Sequence, residues 1–139
     1  MTRCQLPWRA GLLFLVTALS PAAIHASEQS TAWITQQQNI PCAWLNQSLR
    51  CDVYKPAWKP WGCRANGCYG SSFVLPSQGK AYLIRTSDTA WTPKATVFPN
   101  DGTTRIGTIT CRSTDRQVSC ANTSGGRMTL SSDRYVINR

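Results

Sequence analysis

Short apolar runs alternate with turn-forming residues along most of the chain. Beyond residue 26 no stretch keeps the 3.6-residue spacing of an amphipathic helix, whereas apolar and polar residues alternate in short runs bounded by Gly, Pro, Asn and Asp. Three hairpins stand out, pairing 42–45 with 49–54, 69–75 with 80–85, and 103–112 with 117–122. The pattern predicts an all-β fold, a small disulfide-stapled barrel or sandwich of about eight short antiparallel strands.

The first 26 residues have a different pattern, that of an export signal. Arginines but no acid precede the apolar run 10–19, which is too short to span a bilayer, and small residues follow it up to Ala26. We expect a signal peptide over 1–26 that is cleaved after Ala26; the alternative is an uncleaved amphipathic N-terminus. The polar segment 27–39 is then predicted to be an N-terminal arm, and 40–139 a single β domain.

Cysteine spacing predicts much of the covalent framework. Six cysteines follow residue 26, and four of them form two C-x8-C pairs, Cys42 with Cys51 and Cys111 with Cys120. Residues suited to a turn lie at the midpoint of each pair, so the two cysteines would face each other across a hairpin, where Cβ atoms come close enough to bridge. We expect both disulfides to form, each contributing about 2.5 to 3 kcal/mol by the loop-entropy relation.

Two cysteines remain, Cys63 and Cys68. We expect them to pair with each other; the rival pairing links one of them to a hairpin cysteine. An even number of cysteines after an export signal is typical of an oxidising compartment. The prediction is therefore a periplasmic or secreted protein with no transmembrane span, monomeric by default.

The residue types suited to catalysis are scarce. The only histidine, His25, lies in the predicted signal peptide, so the remaining chain has no Ser-His-Asp or Cys-His chemistry and lacks the commonest metal ligand. A zinc site of cysteines alone would need free thiolates, which an oxidising compartment removes. We therefore predict a protein that is not an enzyme, without catalytic residues, metal or cofactor.

Two alternatives from other classes stay open. One is a secreted hydrolase or toxin that uses a pair of aspartates, and Asp88 is its first candidate because it lies in the irregular segment 86–94. The other is an inhibitor or structural partner of another envelope protein. Scattered single carboxylates are more often solvated or capping groups, which favours a binding protein over the hydrolase.

A loop between the first two hairpins is the predicted contact surface. Lys55-Pro56-Ala57-Trp58-Lys59-Pro60-Trp61-Gly62 holds two Lys-Pro pairs that favour extended backbone, and its tryptophans three residues apart would lie on one side. Aromatic faces beside lysines are suited to stacking on sugar rings or bases near an anion. The predicted binding residues are Lys55, Trp58, Lys59, Trp61 and Arg64. The alternative is that both tryptophans cap the core.

The other tryptophans after the predicted signal peptide are expected in the core. These are Trp33, Trp44 and Trp91, each beside apolar or strand residues. Large apolar side chains are what a small domain needs to bury.

Charge indicates the kind of partner. The 139 residues carry a net charge of +9, and loss of Arg3 and Arg9 with the signal peptide leaves +7. Such a chain suits an anionic envelope polymer, a glycan or an acidic protein, although spread positive charge can also serve solubility alone. No nucleic-acid-binding motif accompanies the charge, so specific nucleic-acid recognition is not expected. We predict a non-catalytic, envelope-associated or secreted binding protein.

The framework residues form a series of short motifs. The series comprises Ile40-Pro41-Cys42, Cys51-Asp52-Val53, a Trp-rich segment reaching Cys63, Asp88-Thr89-Ala90, Gly102, Gly107, Cys111, Cys120, Asn122 and Ser132-Asp133-Arg134-Tyr135. Over residues 40–137 it resembles a family of small secreted, disulfide-stapled bacterial domains of unknown function. The resemblance implies the fold and export, and no activity.

The chain departs from that family's pattern at two places. Ile84-Arg85 stands where the family has a cysteine before its Asp-Thr pair, and Cys68 could replace that cysteine as the partner of Cys63. Ser124-Gly125-Gly126 stands where the family has a turn resembling Gly-His-Gly.

Overall fold

The computed structural model describes residues 31–58 and 71–138, and these residues form strands and turns without any helix. This confirms the predicted all-β class; the predicted signal peptide and the cysteines at 63 and 68 lie outside the described residues. The eleven strands are β1 (Ala32–Thr35), β2 (Pro41–Leu45), β3 (Ser48–Val53), β4 (Ser71–Pro76), β5 (Tyr82–Ile84), β6 (Thr96–Phe98), β7 (Thr103–Ile106), β8 (Ile109–Ser113), β9 (Gln117–Asn122), β10 (Arg127–Ser131) and β11 (Tyr135–Ile137).

The strands form two sheets that pack face to face. One has six strands in the order β5-β4-β3-β2-β1-β6, and the other has five in the order β11-β10-β9-β8-β7. Strand β4 of the first packs against β9 and β10 of the second. The sheets do not close into a barrel, so the structure is a sandwich. Neighbouring strands are antiparallel, as predicted, except β1 and β6, which pair in parallel.

The core lies between the two sheets and contains both predicted bridges. Cys42 pairs with Cys51 across β2 and β3, and Cys111 with Cys120 across β8 and β9, each with a Cα–Cα distance of 4.1 Å. All four cysteines are buried. The two disulfides are therefore confirmed as staples within single hairpins. Large side chains packed around them include Ile40, Leu49, Phe73, Leu75, Ile109, Val118, Met128 and Leu130.

Two elements differ from the sequence expectation. The segment 27–39 holds β1, whose four residues are buried and whose Trp33 lies in the core, so at least this part of the expected arm belongs to the six-stranded sheet. The expected strand 103–112 is divided into β7 and β8 by a turn at Gly107, which has a φ of +56°. Glycine adopts this left-handed conformation at no steric cost, so the chain reverses there.

The outer faces of the two sheets, those turned away from the core, differ in how they are covered. Residues 86–95, which we call the covering segment, cross the outer face of the six-stranded sheet, where Ala90 packs against Ala32 and Ala43. Small side chains allow this close approach. The outer face of the five-stranded sheet instead presents exposed strand residues such as Arg105, Thr110 and Val136.

Candidate functional site: an arginine-bearing sheet face

Buried and exposed residues alternate along the strands of the five-stranded sheet, and this alternation places the polar side chains on its outer face. In β8, for example, Ile109, Cys111 and Ser113 are buried, whereas Thr110 and Arg112 are exposed. Side chains alternate between the two faces of a strand, so every second residue of β7 to β11 points outward. We call the resulting surface the arginine face; its residues are Thr103, Arg105, Thr110, Arg112, Gln117, Ser119, Ala121, Arg127, Thr129 and Val136.

Strand register brings three arginines into one group on this face. Arg105 is opposite Thr110, Thr110 is opposite Ala121, and Ala121 is opposite Arg127. Arg105 and Arg127 therefore lie in one row, about 14 Å apart over three strand spacings. Arg112 is the diagonal neighbour of Arg105, at about 7 to 8 Å between their Cα atoms. The three arginine positions therefore form a triangle on one face of the sheet, which an extended anionic molecule can span.

Hydroxyl groups lie between the arginines. Ser119 and Thr129 face each other on β9 and β10, and their hydroxyl oxygens are 3.0 Å apart in a hydrogen bond. Thr103 and Thr110 are exposed on β7 and β8. Hydroxyls donate and accept, so they complement the donor-only guanidinium groups in binding carboxylate, sulfate or sugar oxygens.

No acidic residue occupies an outward strand position of the arginine face. The aspartates of this sheet lie in the turns at one end of it, and Asp115 is 3.8 Å from Arg116 in an exposed pair there. Within residues 31–58 and 71–138, Arg105, Arg112 and Arg127 make no ion pair. Their guanidinium groups are therefore available for bidentate contacts to a carboxylate or phosphate.

One of these arginines is held in place by the turn beside it. Arg105 Nε donates to the carbonyl oxygen of Gly107 at 3.2 Å. The two terminal nitrogens of the guanidinium remain for a ligand, and less side-chain freedom is lost on binding because the side chain is already oriented.

The loop predicted from the sequence as the contact surface is described only in part. Lys55 is exposed, with a φ of +49°. Trp58 is half-buried: its ring lies 4.9 Å from Tyr135 and 6.1 Å from Phe73, centroid to centroid, and its Nε1 donates to the Ser131 carbonyl at 3.5 Å. Trp58 thus packs on the core, which is the arrangement of the capping alternative.

The other members of the predicted loop set, Lys59, Trp61 and Arg64, lie outside the described residues. The structure therefore leaves their predicted role as a prediction. Trp58 does not lie on the arginine face, since its ring packs on the core side of the sheets against Phe73 and Tyr135.

The aspartate considered for catalysis takes part in a different arrangement. The Arg50 guanidinium lies between two carboxylates, with Nε 3.3 Å from Asp52 Oδ1 and Nη1 2.9 Å from Asp88 Oδ1. A hydrogen bond from the Thr86 hydroxyl, followed by the contact with Arg50, lowers the pKa of Asp88. A glycosidase-type general acid needs the opposite shift. The geometry favours a structural role for Asp88 and its partner Arg50.

Metal and membrane features can be stated for the described residues only. Among them, no three His, Cys, Asp or Glu side chains come together in a group that could hold a metal ion. The same residues contain no helix long and apolar enough to cross a membrane.

Sequence reasoning treated the arginines as charge spread along the chain, and the register shows three of them as one group. A signal was present: Arg and Thr occupy alternate positions with apolar residues in Ile109-Thr110-Cys111-Arg112. Such alternation predicts a strand with one polar face.

Comparisons with protein-family models, with curated proteins and with solved structures found no match.

Proposed function

We propose that this protein is an exported, non-catalytic binding protein that holds an anionic polymer against its arginine face. One observation supports the proposal above all others: three exposed arginines that have no acidic partner among residues 31–58 and 71–138 share a sheet face on which no strand residue is acidic. A field of one sign attracts a ligand of the opposite sign and speeds its association. Acidic envelope polysaccharides and other anionic glycans have this character.

The shape of the surface supports a polymer over a small molecule. A sheet face is open and shallow, whereas small-molecule sites are concave and enclose their ligand. Single exposed charge pairs contribute little each, so useful affinity needs several contacts made at once by one chain. Three arginines and the intervening hydroxyls provide such a series of contacts.

The compartment follows in part from the bridges. Two disulfides within single hairpins indicate an oxidising environment. We propose the periplasm or the exterior of the cell in particular, a proposal supported by the export pattern of residues 1–26. An anionic polymer of the cell envelope would be present in both places.

The test is a comparison of two triple variants with equal loss of charge. Arg105→Gln/Arg112→Gln/Arg127→Gln removes the arginines of the arginine face, and the control Lys80→Gln/Lys94→Gln/Arg134→Gln removes three exposed cations outside that face. On immobilised heparin, used as a linear anionic glycan, we expect the arginine variant to bind at least about 10-fold more weakly at about 0.15 M salt. The control should lose markedly less.

The salt dependence gives a second readout of the same contacts. Each ionic contact that is lost makes the plot of log K against log salt less steep by about one unit of slope. The slope for the arginine variant should therefore be about two to three units less steep than that for the wild type. Equal losses in both triple variants would show that binding follows net charge alone, and the proposed site would then be wrong.

A further inference from the structure

Trp91 is placed at the surface, against the sequence expectation. Trp33 is 4% exposed and confirms its predicted core position, and Trp44 is half-buried against the core. Trp91, in contrast, is 47% exposed, so its predicted burial was wrong. The reason is that the covering segment docks on the sheet through alanines, as described for Ala90, and leaves the indole outside.

The main chain that leads to Trp91 is firmly anchored. Arg50 Nη2 donates to the Asp88 carbonyl at 2.8 Å, and the Ala90 N–H donates to Asp52 Oδ2 at 2.6 Å. The Trp91 N–H donates to Thr89 Oγ1 at 3.1 Å. Asp88 and Ala90 are therefore tied to buried side chains of β3, and the Trp91 N–H is bonded to a hydroxyl of the residue between them.

The other end of the covering segment is held as well. The Ala95 N–H donates to the Thr92 carbonyl at 3.0 Å, and Ala95 packs against the alanine cluster of the six-stranded sheet. Strand β6 begins at the next residue. Trp91 thus stands on a short span fixed at both ends, and only its two side-chain torsions remain to be ordered by a ligand.

An exposed indole on a fixed main chain requires an explanation because burial of such a ring is strongly favourable. Aromatic side chains bury about 150 to 250 Å² each in protein cores. Here the segment is held by polar groups and alanines instead. The ring is therefore not what attaches the segment, and Trp91 remains 47% exposed to solvent.

The neighbouring side chains indicate which ligand. Ser87, Asp88 and Lys94 of the covering segment are exposed, and Thr92 is half-buried, so hydroxyl, carboxylate and ammonium groups surround the indole in sequence. A sugar ring has an apolar C–H face for stacking and a rim of hydroxyls that both donate and accept. The Asp88 carboxylate, with 71% of its side chain exposed, adds an acceptor for sugar hydroxyls.

We propose that Trp91 is the stacking platform of a binding site for a neutral sugar ring, with hydroxyls of the covering segment contacting the sugar rim. The site lies on the outer side of the six-stranded sheet, whereas the arginine face lies on the opposite side of the sandwich. It is therefore a second site, which does not depend on the anionic polymer.

The test uses neutral tetrasaccharides, with calorimetry and the indole N–H signal of Trp91 as readouts. The probes are the β-1,4-linked tetramers of glucose and of N-acetylglucosamine, the β-1,3-linked tetramer of glucose and the α-1,4-linked tetramer of glucose. We expect at least one tetrasaccharide to bind. Trp91→Ala should weaken its affinity about 10-fold or more, and Trp91→Tyr should weaken it about 3-fold or less. Binding should not change with salt, because no charge on the ligand is involved.

Two controls make the result specific. Leu45→Ala removes a side chain that is 52% exposed on the same sheet face and should leave sugar binding unchanged. The triple arginine variant should also bind the sugar normally, so failure of one proposed site is visible without failure of the other. No binding of any tetrasaccharide, or equal binding by Trp91→Ala with an unchanged thermal midpoint, would overturn the proposal.

Discussion

Arg50 and Asp88 are 38 positions apart, and the guanidinium of the first holds both the carboxylate and the main-chain carbonyl of the second, at 2.9 and 2.8 Å. The same guanidinium contacts the buried carboxylate of Asp52 and the hydroxyl of Ser72. A residue in the middle of β3 therefore positions a segment that follows β5. This contact explains why the irregular stretch after β5 has a defined path over the sheet.

Removing the buried partner should destabilise the fold strongly. Asp52→Ala leaves the Arg50 side chain, only 10% exposed, with the solvent-exposed Asp88 as its remaining carboxylate, and deprives the Ala90 N–H of its acceptor. Breaking a buried pair costs about 3 to 5 kcal/mol, and we expect a loss of about 3 kcal/mol in urea unfolding. The control Asp115→Ala breaks an exposed pair and should cost less than about 1 kcal/mol. Similar losses in the two variants would contradict the structural role of Asp52.

Acid should weaken the attachment of the covering segment through Asp88. The Thr86 hydroxyl and the Arg50 guanidinium lower the pKa of Asp88 from its ordinary 3.8. A lowered pKa in the folded state means that the ionised carboxylate stabilises the fold above about pH 4 and that this contribution is lost as pH falls through the folded-state pKa. Asp88→Asn lacks the contribution at every pH.

The measurement is the thermal midpoint of both proteins between about pH 2 and pH 7. The thermal midpoint of the wild type should exceed that of Asp88→Asn by a constant amount near neutral pH, and the difference should close as the pH falls below 3.8 and through the lowered pKa of Asp88. Thr86→Ala should reduce the difference without abolishing it. A difference that persists unchanged at the lowest pH would show that the Asp88 charge does not stabilise the fold.

Among the polar residues at the ends of the two sheets, Asn122 should be the one whose substitution destabilises the fold most. Its amide nitrogen donates to the carbonyls of Pro76 and Gly79 at 2.9 and 2.7 Å, and its oxygen accepts from the Gly126 N–H at 2.7 Å. One side chain thus joins the β4–β5 turn to the β9–β10 turn. We expect Asn122→Ala to cost about 2 to 4 kcal/mol because buried groups lose their partners.

Asn122→Asp gives a more specific test of these bonds. The variant keeps an acceptor for Gly126 but places a carboxylate against two carbonyl oxygens, so it should be destabilised about as much as the alanine variant. The exposed neighbour Thr123 provides the control, since Thr123→Ala should change stability by less than about 0.5 kcal/mol. A stable Asn122→Asp protein would mean that the two donated hydrogen bonds contribute little.

Trp58 should affect stability and leave anionic binding unchanged. Its indole packs edge-on against Tyr135 and Phe73 while the ring is half-buried. Truncating a core aromatic residue costs about 3 to 5 kcal/mol, and for this partly buried ring we expect about 2 kcal/mol for Trp58→Ala. Heparin affinity per folded molecule should stay within about twofold of wild type. A large loss of affinity in a folded variant would restore the loop as the contact surface.

How much the sequence could predict depends on whether both faces of a strand are covered. In β8 one face is exposed, so the alternation is visible, and the hairpin bridge Cys111–Cys120 followed from spacing alone. In β3 every residue after Ser48 is buried, because the covering segment lies on the outer face. A buried arginine there looks the same in sequence as a solvated one, so its role required the fold.

The two candidate sites also differ in how far the sequence could have predicted them. The arginine face depends on register between strands that are neighbours in sequence, and alternation could have indicated it. The position of Trp91 depends on how a segment without regular structure crosses a sheet formed by residues far from it. Local composition does not determine that path, since the contacts that hold it are made with β3.

The placement of the two bridges has a consequence for oxidative folding. Each described disulfide joins cysteines that are consecutive in the order of cysteines along the chain, Cys42 with Cys51 and Cys111 with Cys120. If Cys4 is removed with the signal peptide and Cys63 pairs with Cys68, as predicted, an oxidase that couples each newly available thiol to the one before it would produce both native bridges directly. Neither bridge then needs a disulfide isomerase, and a host that has only an oxidant for thiols should be able to form both correctly.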